Sequence, residues 1–210
     1  MATPSHRTPL AELVEELLTT DGPLPIVAAG DPVLRQGIEH YDGHLDGTLL
    51  SRFVEALRIT MHAAPGVGLA APQVGVALRI YTYSYQDDEG RPWRGVLINP
   101  ELWMRPIEPG EPDPDDESEG CLSFPGERFP LRRSESVQVT GTSLEGEPVR
   151  IEVDGWRARI MQHEFDHLDG ILYVDRLSDG DWKTVQKLAR KRGWGRPGQA
   201  WTPGIDDIEA

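Results

Sequence analysis

Between Val76 and Val153 the chain carries segments rich in β-branched and aromatic residues, and strong helical patterns lie only before and after that stretch. Strands grouped in the middle with helices on either side read as an α+β fold. The strand segments are Val76 to Tyr83, Gly95 to Ile98, Val137 to Thr142 and Val149 to Val153. The last two flank Leu144-Glu145-Gly146-Glu147 and read as a hairpin. Glu108 to Glu119 is acidic and broken by proline, which predicts an exposed loop. Upstream, Leu10, Leu13, Val14, Leu17 and Leu18 fall on one face of a helix that ends near Asp21-Gly22-Pro23. A second helix carries Leu50, Phe53, Val54, Leu57 and Met61, and stops before Pro65-Gly66. Residues 66–73, all small or apolar up to Gln73, read as a loop. Downstream, a helix from Trp156 to Leu168 is closed by Asp169-Gly170, glycine suiting the left-handed position after a helix. A final helix is predicted over Asp181 to Arg192.

Residues 1–9 are polar and proline-containing and are expected to be disordered; residues 10–192 read as a single domain, and 193–210 as a tail rich in Gly, Pro and Trp. A chain of 210 residues, 38% hydrophobic, can bury one sizeable core. Its net charge of −14 repels phosphate, which argues against sequence-specific nucleic-acid binding and leaves room only for a local basic patch. The single cysteine, Cys121, cannot form an intrachain disulfide and favours a reducing compartment. No apolar run approaches the roughly 20 residues that span a bilayer, and the first residues lack the apolar core of a secretory signal. The expected location is the cytoplasm, without membrane attachment.

The first chemical signal is His163-Glu164-Phe165-Asp166-His167. Histidines four apart on a helix lie one above the other and can reach one metal ion, and Glu164 beside them can accept a proton without being a ligand. The bland alternative is a solvated surface helix. A catalytic site of the zinc type takes three protein ligands and keeps a fourth position open. No histidine follows His167; Asp175 lies only two turns beyond and Glu209 near the end of the sequence, so Cys121 in Glu119-Gly120-Cys121-Leu122-Ser123 is the better third ligand. Its own alternative is a small buried hydrophobe.

Three segments together, Gly-Val-Gly-Leu-Ala-Ala-Pro-Gln (66–73), Glu-Gly-Cys-Leu-Ser (119–123) and His-Glu-Phe-Asp-His-Leu-Asp-Gly (163–170), resemble the three motifs of the peptide deformylases of bacterial type, in that family's order. The resemblance runs from about Gly30 to Leu177. It implies antiparallel sheets wrapped around a central metal-binding helix, with N-terminal helices and a C-terminal helix. It also implies hydrolysis of the N-formyl group from N-formylmethionine of nascent polypeptides, releasing formate. Cys121, His163 and His167 would be the metal ligands, Glu164 the general base and then acid, and the Gln73 amide and Leu122 N–H the oxyanion donors. Gly68 would let a substrate strand approach its backbone. Phe124, Ile160 and His163 would shape an apolar slot for methionine, Glu119 and Arg128 would support the site or contact the peptide, and Asp166 would anchor the helix, through an arginine. Arg159 stands where the family carries an apolar pocket residue, and the acidic loop 108–117 is longer than in the simplest members; both bear on peptide preference.

A thiolate and two imidazoles suit Zn2+, Fe2+, Co2+ or Ni2+, and the resemblance points to Fe2+ in the cell. The last helix, with Lys183, Lys187, Arg190, Lys191 and Arg192, is either a solvated face or a contact for the ribosome. Two rival functions share some of these features. A zinc endopeptidase would cut internal peptide bonds, and a non-catalytic metal-binding or ribosome-associated module would need neither Glu164 nor Gln73.

Overall fold

The computed structural model describes residues 9–206. The expected disorder of residues 1–9 therefore falls almost wholly outside the described residues, and Pro9 already opens the first helix, α1 (Pro9–Leu17). Val14 is buried and Leu10, Leu17 and Leu18 lean on the core, whereas Leu13 is largely exposed. Asp46 caps α2 (Gly47–Ala63) by accepting the Thr48 and Leu49 amides at 2.9 and 2.8 Å. All five residues of the predicted apolar stripe of α2 are buried, with Phe53 and Leu57 fully excluded from water. Each such side chain contributes about 1.5–3 kcal/mol relative to exposure.

The largest sheet has the strand order β2-β3-β4-β7-β8, antiparallel throughout, with β2 (Gly68–Ala70), β3 (Ile80–Gln86), β4 (Pro92–Met104), β7 (Ser136–Thr142) and β8 (Pro148–Asp154). The predicted β7–β8 hairpin is present, turning through Gly146 at φ +84°. The expected loop at 66–73 is corrected: Gly68 to Ala70 pair with Tyr83 to Tyr81 as an edge strand, followed by a 3-10 turn over Ala71–Val74. Small side chains fit there because Leu69, Ala70 and Ala71 are packed without solvent exposure. β4 runs past its predicted end and is interrupted between Ile98 and Glu101, where Asn99 takes φ +50°.

A second sheet, β5 (Ser118–Cys121) with β6 (Phe124–Pro130), is one the sequence patterns do not predict. It corrects the predicted loop at its end. Residues 105–117 lie outside any strand, but Glu119 is in β5 and buried. Between the sheets lies α3 (Gly155–Leu168), which packs on β2, β3, β7 and β8. Ala158, Ile160, Met161 and Leu168 of α3 share one core with Tyr81, Leu97 and Val139. Antiparallel sheets around one central helix are the architecture expected. Gly170 closes the helix at φ +73°, and a Cβ there would meet the Arg35 carbonyl carbon at 2.9 Å.

The last helix, α4 (Asp179–Arg192), is capped by Ser178 and ended by Gly193 at φ +70°. The chain then turns back, and β9 (Ala200–Trp201) pairs with β1 (Ile26–Val27). Among the described residues no helix is long and apolar enough to cross a membrane.

Candidate metal centre and active site

The α3 helix brings His163 and His167 to one face, with ring centroids 5.1 Å apart. The end of β5 brings Cys121 to them, so that one ligand atom from each of the three residues lies within 4.8 Å of the others. Cys121 Sγ is 3.4 Å from His167 Nε2. His163 turns Nδ1 to the Glu119 carboxylate at 3.0 Å, which fixes the ring and leaves Nε2 for the site. Tyr173 stacks on the other side of that ring, 6.0 Å between centroids. Burial drives the His167 pKa well below the usual value, favouring the neutral form that can donate a lone pair. Burial also pushes His163 down, but its hydrogen bonds and electrostatic interactions with Cys121 and Glu119 outweigh it and raise its pKa.

Glu119 is the hub of the supporting network. It accepts from Arg133 Nε and Nη2 at 2.6 and 2.9 Å, from Arg159 Nη1 at 2.7 Å and from His163. Burial alone would raise its pKa, but the Arg133 guanidinium and these hydrogen bonds hold the carboxyl well below the usual carboxylate range. Arg133 also reaches Asp166 at 2.7 Å, and Arg176 donates two further bonds to Asp166. Asp166 thus anchors α3 through two arginines and stands apart from the three ligand atoms. Sequence reasoning singles out neither Arg133 nor Arg176. The only signal is indirect: an acid on the buried side of a helix needs a cationic partner.

Glu164 is 4% exposed, its Oε2 has no hydrogen-bond partner among the described residues, and burial raises its pKa to about 7. Gly68 makes room for it. A Cβ at Gly68 would lie 2.5 Å from Glu164 Cδ and 2.8 Å from Cγ, so any other residue there must displace the carboxylate. The absent side chain at Gly68 therefore leaves the space that the Glu164 carboxylate fills. Gln73 is buried; its Oε1 accepts the Ala70 amide at 2.8 Å, which turns Nε2 toward Cys121 Sγ at 3.7 Å. Leu122 follows Cys121 directly, and its carbonyl accepts the Trp201 indole N–H at 2.8 Å.

A cavity of about 570 Å³ opens over this constellation. Gly68, Glu119, Arg128, Arg159 and Ile160 reach its wall, as do Gln73, Cys121, Leu122, His163 and Glu164. Phe124 is not among them; its ring packs against Tyr173 and Trp194, with centroids at 6.4 and 4.5 Å, in the core cluster that also holds Cys121. Arg159 is almost fully buried. Its guanidinium is held by Glu119, the Leu131 carbonyl at 2.7 Å and Glu117 at 3.3 Å, and lies over Trp156. It ties the end of the acidic loop to the site, leaving its aliphatic stem for the cavity.

An α+β scaffold that converges a thiol, two imidazoles and a buried, elevated carboxyl on one cavity defines the class of metal-dependent hydrolases. The family model described as polypeptide deformylase matches residues 23–182. Peptide deformylase 3 of Streptomyces avermitilis is 50% identical over 206 residues, covering 93% of this chain and 88% of its own. Among solved structures, the peptide deformylase from Thermus thermophilus has a TM-score of 0.67 at 35% identity, over 80% of this chain and 93% of that one. The class I type b peptide deformylase from Acinetobacter baumannii, crystallised with Met-Ala-Ser bound, has a TM-score of 0.65 at 33% identity, over 75% of this chain and 100% of that one. The chain belongs to the peptide deformylase family, hydrolases that remove the formyl group from nascent peptides.

Proposed function

We propose that Cys121, His163 and His167 hold one divalent metal and that Glu164, Gln73 and the Leu122 amide carry out deformylation of N-formylmethionyl peptides around it. The observation that carries this reading is the convergence of the three ligand atoms beside a buried carboxyl whose Oε2 has no partner among the described residues. A soft thiolate with two imidazoles suits such a metal, and Glu119 orients one imidazole as metal-binding histidines require.

When bound, the metal supplies Lewis acidity, polarising the formyl carbonyl and making water acidic enough to ionise near neutral pH. Glu164 would take a proton from the attacking water and return it to the departing amine; a pKa of about 7 suits both directions of transfer. Gln73 presents an uncharged NH₂ donor because its oxygen is already committed to Ala70. The Leu122 N–H is the second donor to the oxyanion that develops on the formyl oxygen. The free edge of β2 gives an extended peptide a strand to pair with, and Ile160 with the stem of Arg159 walls the methionine side chain. We assign Fe2+ as the cellular metal, with Zn2+, Ni2+ and Co2+ as alternative occupants of the same donors, and the cytoplasm as the location where formylated chains are met. Residues 10–192 are assigned as the catalytic domain.

The direct test is formate release from N-formyl-Met-Ala-Ser by anaerobically purified protein. Turnover is expected to vanish on chelation and return on adding Fe2+; cleavage of internal peptide bonds, or turnover indifferent to chelation, would overturn the assignment. On α4, Val185 anchors the helix while Lys183, Lys187, Arg190 and Lys191 lie on its outer side, and this cationic face is assigned to ribosome docking. Co-sedimentation with ribosomes is expected at low salt and is expected to be lost at high salt or when those four residues are changed to glutamine. Binding unmoved by either change sinks the assignment.

A further inference from the structure

The segment that follows α4 grips the turn that follows Cys121. Trp201 is buried, and its indole N–H donates to the Leu122 carbonyl at 2.8 Å. Its strand pairs Ile26 with Trp201 and Val27 with Ala200, and the pairing continues as Ala28 N–H donates to Gln199 and Gly195 N–H to Ala29. Ala29 N–H in turn donates to the Ser123 carbonyl at 2.6 Å. The two carbonyls after the cysteine are thus held by one unit, the first by Trp201 and the second through Ala29. Trp194 adds an edge-on contact with Phe124, and Arg192 pairs with Glu127 at 2.8 Å. The strap lies so close that a Cβ on Gly30 would meet Gly195 Cα at 2.5 Å and Arg196 N at 2.8 Å. All of it lies beyond residue 182, where the match to the family model stops.

We infer that the strap is a positioning element for the reaction and that Trp201, through the Leu122 carbonyl, fixes the Leu122 Cα from which the oxyanion-donor N–H is presented. A carbonyl fixed by a buried N–H cannot turn without losing that bond; it holds the Leu122–Ser123 peptide plane and with it the Leu122 Cα, leaving φ of Leu122 as the one soft dihedral between that anchor and the Leu122 N–H. The donor is useful only if it is already aimed where charge develops. The inference rests on the assignment of Leu122 as an oxyanion donor.

Two variants of the full chain test it: Trp201→Phe, and β-(3-benzothienyl)alanine placed at 201 by stop-codon suppression, which keeps the bicyclic shape and lacks only the N–H. In both, kcat for formate release is expected to fall about tenfold at unchanged KM. Amide hydrogen exchange in residues 121–124 is expected to accelerate while exchange in α2 stays as in the parent. Parental kcat and exchange in the benzothienyl variant would overturn the inference, and so would a fall in kcat accompanied by uniform loosening of the whole protein. A parent protein that releases no formate would defeat the reading of the site, while faster exchange at 121–124 would still register the strap's hold on the turn.

Discussion

Glu164→Gln is expected to give a folded protein that retains its metal and loses about 10²- to 10⁴-fold in kcat for formate release, the usual contribution of a positioned general acid–base. The substitution is nearly isosteric, so the packing of α3 against Gly68 survives. It removes the proton acceptor and nothing else, because Glu164 lies outside the three-residue ligand group. Metal content by mass spectrometry and the thermal transition should match the parent, and KM should change little. Turnover within a few fold of the parent would remove Glu164 from the proposed chemistry. Loss of metal together with activity would mean that it serves as a ligand.

The second large effect is on stability. Arg133→Met is expected to destabilise the protein by about 3–5 kcal/mol, the range observed when one member of a buried ion pair is removed. The cost arises because Glu119 loses two of its hydrogen bonds and Asp166 one, in surroundings where the Arg133 side chain is only 4% exposed. Arg159 and His163 still hold Glu119, and Arg176 still holds Asp166, so the structure should survive. For a chain of this size the thermal midpoint should drop by roughly 6–20 °C. Arg150→Met provides the contrast, since its pair with Glu152 is about two-thirds exposed and is worth at most about 1 kcal/mol. Equal midpoints for the two variants would remove the buried network from any role in stability.

The parts of this molecule that are legible in the sequence are those with a regular period. The stripe of α2 and the i, i+4 histidines of α3 are fixed by helical spacing alone, and the β7–β8 hairpin by its alternation and its glycine turn. β5 and β6 escape such a reading because Gly120, Pro125, Gly126 and Pro130 look like loop residues. Two short strands can tolerate them because the pair stands as a separate two-stranded sheet with an irregular register at Gly120 and Cys121. The edge strand β2 is hidden by its lack of bulky side chains, a composition explained only when Glu164 is seen to occupy the space beside Gly68. The packing of Phe124 against Tyr173 and Trp194 is not legible in the sequence, because proximity to the Cys121 motif says nothing about which side of a tight turn a ring will face. Arg133 is invisible for a related reason: its partners lie 14 and 33 residues away in the chain, and no period links them.

The contact between Trp201 and Leu122 spans 79 residues. At translation speeds of about 5–20 residues per second, Leu122 is synthesised roughly 4–16 s before the tryptophan that holds it. Cys121, His163 and His167 all precede the strap, so the growing chain carries the three proposed metal donors before the segment that clamps the turn after the cysteine has been made. With the proposed roles, the metal donors and the clamp on the oxyanion-donor turn are supplied one after the other, in an order set by the direction in which the chain is made.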